Sequence, residues 1–220
     1  MLEGMRQATD SLAHQVRRLD AVAQNVANVD TPGYLSTGTG RRQGAFAEWL
    51  RPTAGAAAAT GRSLDVSLEP GSYLAVSTRQ GPRYTQRGDL RLDEGLRLVT
   101  GAGDPVLDES GRELVLPPGP VEVQEDGTVR VAGRTVGVLG RWRLDRPAET
   151  GGTLFTQAGA TPPAPDPRPL RTGTLQASNV EESIEQIALV ELLRRAQALS
   201  QVLSVQDQTL GQAMRDLGRR

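Results

Sequence analysis

Apolar residues recur at alternating three- and four-residue steps at both ends of the chain, and at two-residue steps between them. The first helical pattern runs from about Leu2 to Val29 and the last from about Val180 to Leu217. Such spacing gives each helix an apolar stripe that is buried only against another helix. The pattern predicts two heptad-patterned terminal helices that form a coiled-coil layer, or a hairpin of both helices within one monomer.

The two stripes differ in regularity. The first consists of Leu2, Met5, Leu12, Val16, Leu19, Ala23 and Val26, interrupted by Thr9. The second consists of Leu189, Leu192, Ala196, Leu199, Leu203, Leu210, Ala213 and Leu217, interrupted by Gln206. Val180, Ile184 and Ile187 lie on a different frame, which predicts a stutter upstream of Leu189. The last helix would be roughly 55 Å long at ~1.5 Å per residue.

The middle of the chain has the two-residue alternation of strands, separated by turns that contain glycine. The alternating segments are 64–68, 73–76, 84–87, 90–92, 96–98, 121–123 and 129–131. Short strands at this spacing predict a central antiparallel all-β domain, a curled sandwich or partial barrel that ends near Leu144 or Phe155. The fold class is therefore α+β.

Proline and glycine mark the connections. Pro32 and Gly33 end the first helix, and a short helix is expected at Ala45–Leu50 within an otherwise flexible linker. The Pro-rich residues 161–169 predict a stiff spacer, with a partner-binding motif as the alternative. Asn179 is the expected N-cap of the last helix, with Glu182 reaching back to it. The resulting division is 1–34 assembly helix and exit, 35–62 linker, 63–160 β domain, 161–177 spacer and return, and 178–220 assembly helix.

Composition argues against several classes of function. Aromatic residues make up 3% of the chain, the formal net charge is −1, and cysteine is absent. These values disfavour a deep ligand cleft, a nucleic-acid surface, disulfides and the usual zinc sites. The N-terminus lacks the pattern of a Sec-type signal peptide, and no stretch is apolar enough to span a membrane. We therefore expect no nucleic-acid partner, membrane insertion, cofactor, metal or small-molecule substrate.

Residues that could carry catalysis do not form a constellation. His14 is the only histidine, so neither a catalytic triad nor a histidine-based metal set can be completed around it. Gly101 and Gly103 are only a fragment of a dinucleotide-binding fingerprint. The carboxylates that could pair as acid and base lie in turn-rich sequence, where aspartate and glycine make turns, and they are Asp108, Glu109, Asp126 and Asp145. The sequence thus predicts no enzyme.

Three segments resemble a known family. Residues 23–34, AQNVANVDTPGY, resemble the N-terminal signature of bacterial flagellar rod and hook proteins, and residues 173–180, GTLQASNV, resemble their C-terminal signature. Residues 64–68 with 83–93 resemble the segment that opens the β domain of rod proteins. Chain length and the spelling Thr-Pro-Gly-Tyr favour the proximal over the longer distal rod proteins. Leu35 departs from the pattern because the family often has a basic residue there.

The resemblance implies a structural subunit of the basal-body rod in the periplasm, exported by the flagellar type III apparatus without a cleaved signal. It also implies helical stacking with copies of itself and with other rod and hook proteins, so that torque passes from motor to hook. Asn25, Asn28 and Thr31 would either cross-link backbone where the helix leaves the tube or only end the helix locally. The expected assembly residues are Leu12, Val16, Leu19, Asn25, Val26, Asn28, Thr31, Pro32, Gly33, Tyr34, Ser178, Asn179, Val180, Leu192, Leu199, Leu203 and Leu210.

Two other classes share part of the pattern. A coiled-coil adaptor or phage-tail-like assembly protein would have the helices and the spacer, but it would not be expected to have the three ordered signatures. A soluble enzyme with helical dimerisation arms would need catalytic residues that are missing here.

Overall fold

The chain is α+β, as predicted, with two long helices and a body of antiparallel strands. The computed structural model describes residues 2–42, 45–51 and 53–217, and only the backbone of residues 2–10, 12, 41, 42, 45, 199, 200 and 202–217. The chain divides into two compact units. The helical unit comprises Met1–Val26, Thr37–Trp49 and Glu181–Arg220, and the β unit comprises Ala27–Ser36 and Leu50–Val180.

Both predicted helices are present. They are α1 (Leu2–Ala27) and α2 (Glu182–Leu217), and the strands β1 (Thr37–Arg42) and β2 (Ala45–Leu50) form a two-stranded sheet. The prediction of a short helix at Ala45–Leu50 is wrong, because these residues form β2. A six-residue segment is too short to be stable as an isolated helix, and its aromatic residues favour a strand. The Trp49 indole also lies against Gly38, where an added Cβ would come within 2.8 Å of the ring.

The β unit contains fifteen further strands among its described residues. Those before the long 101–120 connection are β3 (Ala57–Ala59), β4 (Val66–Ser67), β5 (Ser72–Thr78), β6 (Gly81–Thr85), β7 (Leu90–Leu92) and β8 (Leu98–Thr100). Those after it are β9 (Val121–Val123), β10 (Thr128–Val131), β11 (Arg134–Val138), β12 (Arg141–Arg143), β13 (Pro147–Gly151), β14 (Leu154–Gln157), β15 (Ala164–Pro165), β16 (Arg171–Thr172) and β17 (Thr174–Gln176).

A six-stranded antiparallel sheet is the largest in the β unit. Its order is β13-β14-β6-β5-β12-β15, and β11-β10-β9 form a second sheet. Three two-stranded sheets complete the unit: β16-β4, β17-β3 and β7-β8. Each of the seven alternating segments overlaps a strand, whereas β3 and β11 to β17 escaped the sequence analysis. Strand pairing continues to Gln176, past residue 160, because the return segment pairs back onto earlier strands.

Two hydrophobic clusters lie in the β unit. The main core is entirely aliphatic and includes Leu74 and Val76 of β5. The second cluster includes Tyr73 of the same strand, together with Leu144 and Phe155. Because successive residues of a strand point to opposite faces, β5 is buried on both sides. The aromatic residues of the second cluster, Tyr73 and Phe155, thus lie on one side of the six-stranded sheet.

The Pro-rich segment is bound to the β unit. Its strand β15 pairs with β12, and the backbone amide of Asp166 donates to the Arg141 carbonyl at 3.0 Å. The buried Arg141 guanidinium donates to the carbonyl oxygens of Arg168 and Asp126. The Asp166 carboxylate accepts from Arg168, with the shortest bond at 2.6 Å, and these bonds lower the pKa of Asp166 to about 2. Strand β15 of this segment therefore forms one edge of the largest sheet.

Candidate assembly site

The chain leaves α1 through a tight turn. The Thr31 amide donates to the Asn28 carbonyl at 3.1 Å, the Thr31 hydroxyl donates to Asn28 Oδ1 at 3.1 Å, and the Tyr34 amide donates to the Thr31 carbonyl at 3.2 Å. These bonds satisfy backbone groups that a helix end leaves open. For Asn28 and Thr31, they match the alternative in which both residues end the helix locally.

Gly33 allows the exit turn to lie directly on the β unit. Its φ is +66°, and an added Cβ would lie 2.5 Å from the Gln86 carbonyl carbon and overlap the carbonyl oxygen. Its amide donates to the Gln176 carbonyl at 2.9 Å. Because only glycine combines this backbone conformation with so close an approach, the position explains why the signature has glycine there.

Tyr34 and Leu35 anchor the exit segment. Both side chains are buried, and Leu35 belongs to the second hydrophobic cluster with Tyr73 and Phe155. Burial raises the pKa of Tyr73 to about 12. Leu35, which departs from the family pattern, is therefore a core residue of this chain, and the sequence analysis missed its role. A single apolar residue after a turn carries no periodicity that would reveal burial.

Asn179 joins three segments of the β unit. Its Oδ1 accepts from the Ser36 amide at 2.6 Å, and its Nδ2 donates to the carbonyl oxygens of Arg51 at 3.0 Å and Thr53 at 2.6 Å. The Asn179 amide donates to the Tyr34 carbonyl at 3.3 Å. The Arg51 amide in turn donates to the Ser36 carbonyl at 2.9 Å. One carboxamide thus ties together the chain around residues 36, 51 and 179.

The prediction that Asn179 caps α2 is wrong. The helix begins at Glu182, and the Glu181 carbonyl accepts from the amides of Ile184 and Glu185. The Asn179 side chain is already used by the exit and linker segments. Ser178 makes a local turn, because its Oγ accepts from the Val180 amide at 3.2 Å.

Asn25 has a similar role within the helical unit. Its Oδ1 accepts from the Thr37 amide at 2.9 Å, and its Nδ2 donates to the Thr37 carbonyl at 3.0 Å and to Glu185 Oε1 at 3.1 Å. Both Asn25 and Glu185 are buried. The Asn25 side chain therefore connects α1 to the start of β1 and to the first turns of α2. Glu185 was missed because a glutamate in a helical pattern normally predicts a solvent-facing position.

The buried face of α1 differs from the predicted stripe. Ala21, Val22 and Asn25 are buried, whereas Val16 is exposed. Leu19 and Val26 are partly buried, and the Leu12 side chain lies outside the described residues.

In α2, two apolar faces can be distinguished. Leu192 of the predicted stripe is only 3% exposed, and Leu189 and Ala196 are partly buried. A second row at three-residue steps is 46% to 64% exposed and consists of Ile184, Ile187, Val190 and Leu193, which we call the outer stripe. The side chains of Leu199, Leu203 and Leu210 lie outside the described residues. The two heptad frames that predict a stutter correspond to two faces of this part of the helix. One face contains the buried Leu192, and the other is the outer stripe.

Two residues considered as catalytic candidates, His14 and Asp108, have structural contacts. The His14 ring stacks on Phe46 with centroids 5.1 Å apart. Asp108 accepts from the amides of Ser110 and Arg112, as expected for a turn. Within residues 2–42, 45–51 and 53–217, no three histidine or carboxylate side chains lie together as a metal site would require. Among the same residues, neither helix is apolar over a length that could cross a membrane.

Comparison with known proteins finds the same family that the two signatures resemble. Residues 5–34, which include most of α1 and the exit turn, match the model of the flagella basal body rod protein family. The flagellar basal-body rod protein FlgF of Mesorhizobium japonicum is 28% identical, with 92% of each chain covered. FlgF of Caulobacter vibrioides is 28% identical over 92% of this chain and 93% of its own, and FlgF of Rhizobium meliloti is 27% identical over 99% of both.

The chain is thus similar to flagellar basal-body rod proteins along nearly its whole length. Its similarity to FlgF along nearly the whole length supports the proximal rod type. Rod proteins are structural components of the flagellar basal body and not enzymes. In this chain, the signature residues Asn25, Gly33 and Asn179 each hydrogen-bond to backbone groups of another segment.

Proposed function

We propose that this chain polymerises helically through its terminal helices and transmits torque from motor to hook across the periplasm. Its neighbours would be copies of itself and other rod and hook proteins. Delivery by the flagellar type III apparatus is part of the proposal and rests on the resemblance of both signatures to that family. The division into assembly helices, linker, β domain and spacer belongs to the same proposal. So do the assembly residues given above, with Asn25 and Asn179 acting on backbone within the chain and not as subunit contacts.

The outer stripe of α2 carries the proposal. Its four large aliphatic side chains are about half exposed, although other residues of the same helix are buried. Burying the exposed half of such a side chain would contribute about 1 kcal/mol each. A row of this kind on a helix is a surface for another helix. The stripe would pack against a neighbouring subunit, while Leu192 faces inward.

The test replaces one residue of the stripe. Ile187 is 64% exposed, so Ile187→Asp should leave the isolated chain folded yet prevent its incorporation into basal bodies, because a carboxylate would enter an apolar interface. Incorporation is measured by quantifying the subunit in purified basal bodies, and swimming is scored in parallel.

Two matched variants complete the design. Ile187→Val keeps the stripe apolar and should assemble normally. Val115→Asp makes the same kind of change at a residue of the β unit that is 57% exposed, and it should also assemble. Normal incorporation of Ile187→Asp would contradict the proposal, as would equal loss in Ile187→Asp and Val115→Asp.

A further inference from the structure

Two consecutive backbone amides are bound by asparagine side chains from the two sequence signatures. The Ser36 amide donates to Asn179 Oδ1 at 2.6 Å in the β unit. The Thr37 amide donates to Asn25 Oδ1 at 2.9 Å in the helical unit. The chain passes from the one unit to the other between these two residues. Each side of this passage is therefore held by a carboxamide.

Both carboxamides use their donor and their acceptor. Asn179 also donates to the carbonyl oxygens of Arg51 and Thr53, and Asn25 also donates to the Thr37 carbonyl and to Glu185. An aspartate could accept these bonds but not donate, and serine has only one hydroxyl with a shorter reach. The bonding pattern accounts for asparagine at both positions.

We infer that Asn25 and Asn179 form a backbone clamp on Ser36 and Thr37, and that they are positioning residues instead of contacts to a neighbouring subunit. Asn25 is fully buried in its own chain, so it has no surface to offer to another subunit. The clamp fixes where the exit segment ends and where β1 begins. This inference goes beyond the proposed function, because it concerns the isolated chain and holds whether or not the chain polymerises.

The test measures amide hydrogen exchange of the full chain by NMR. In Asn179→Ala the Ser36 amide should exchange about tenfold faster, and the Arg51 amide, which binds the Ser36 carbonyl, should follow. In Asn25→Ala the Thr37 amide should accelerate by a similar factor. The Leu114 amide of the main core, which donates to the Val106 carbonyl, should keep its rate in both variants.

Asn28→Ala is the matched control. This asparagine belongs to the same signature, but its Oδ1 accepts from Thr31 three residues away, so the Ser36 and Thr37 amides should be unchanged. If an alanine variant does not fold, leucine, which is close to asparagine in size but has no hydrogen-bonding group, replaces it. The same amides should then accelerate. Unchanged rates at Ser36 and Thr37, or acceleration that includes Leu114 equally, would overturn the clamp.

Discussion

Ser36 donates its backbone amide to the side chain of Asn179 at 2.6 Å, although 143 residues separate them in sequence. The bond brings the exit of the first helix beside the segment that enters the last one, within the β unit. The end of the N-terminal signature and the C-terminal signature thus meet within the β unit, where the Gly33 amide also donates to the Gln176 carbonyl.

Gly33 should tolerate no side chain. In Gly33→Ala, a Cβ would overlap the Gln86 carbonyl, and a φ of +66° costs an L-residue about 1–2 kcal/mol before any clash. We expect the free energy of unfolding of the β unit to fall by roughly 3 kcal/mol or more. Urea unfolding followed by tyrosine and tryptophan fluorescence measures the change.

Gly61→Ala separates the two causes. Gly61 has a φ of +73°, but nothing lies within 4 Å of an added Cβ. This variant should therefore lose only the ~1–2 kcal/mol of backbone strain. Equal losses at the two glycines would show that contact with Gln86 does not matter.

Leu35 should behave as a core residue. Its side chain is buried with Tyr73, Leu144 and Phe155, so Leu35→Ala should lower the free energy of unfolding by about 2–4 kcal/mol through a cavity. Leu35→Arg, which restores the basic residue frequent in the family, should be worse because its charge would be buried without a partner. Leu50→Ala, at a partly buried position of the same cluster, should cost less. An arginine variant as stable as the native chain would contradict this role.

How far the sequence predicts this molecule depends on the range of the interactions. The helices and the alternating strands follow from local periodicity, and they are found. The strands β15, β16 and β17 were missed because short segments such as Ala164–Pro165 become strands only by pairing with distant partners. The inward face of α2 could not be deduced either. Two apolar frames are present there, and the buried bond between Asn25 and Glu185 helps to fix which side faces inward.

The assembly site was also predicted only in part, because its contacts join segments that are distant in sequence. Asn25, Gly33 and Asn179 were singled out through the family resemblance, but their hydrogen-bond partners were not. Each partner is a backbone group or a side chain from another segment, and no spacing within the sequence encodes such a contact. Leu35 shows the reverse case, since a departure from the family pattern is compensated by an apolar cluster that only the folded chain contains.

Protonation of Asp166, which lies in the Pro-rich segment, should lower the free energy of unfolding at acidic pH. Hydrogen bonds from Arg168 lower the pKa of this carboxyl to about 2, below its usual value of 3.8. A carboxyl whose folded pKa is depressed stabilises the fold above its unfolded pKa, and that contribution is lost as the pH falls from about 4 to about 2. We expect roughly 1–2 kcal/mol, since Arg168 is partly exposed.

Asp166→Asn isolates this contribution. Urea unfolding of both proteins between pH 2 and pH 7 should give curves that differ most at neutral pH and converge near pH 2. Other aspartates with a lowered pKa, such as Asp108, titrate in both proteins and cancel in the difference. A difference that does not change with pH would argue against the pairing of Asp166 with Arg168 as its cause.

The most direct test of the assembly account is electron cryomicroscopy of purified basal bodies, with this chain located in the density of the axial rod. We predict that α2 lies in the inner layer, with Ile184, Ile187, Val190 and Leu193 packed against a helix of a neighbouring subunit and the β unit outside. A rod that lacks this chain, or one in which the outer stripe faces solvent, would contradict the account.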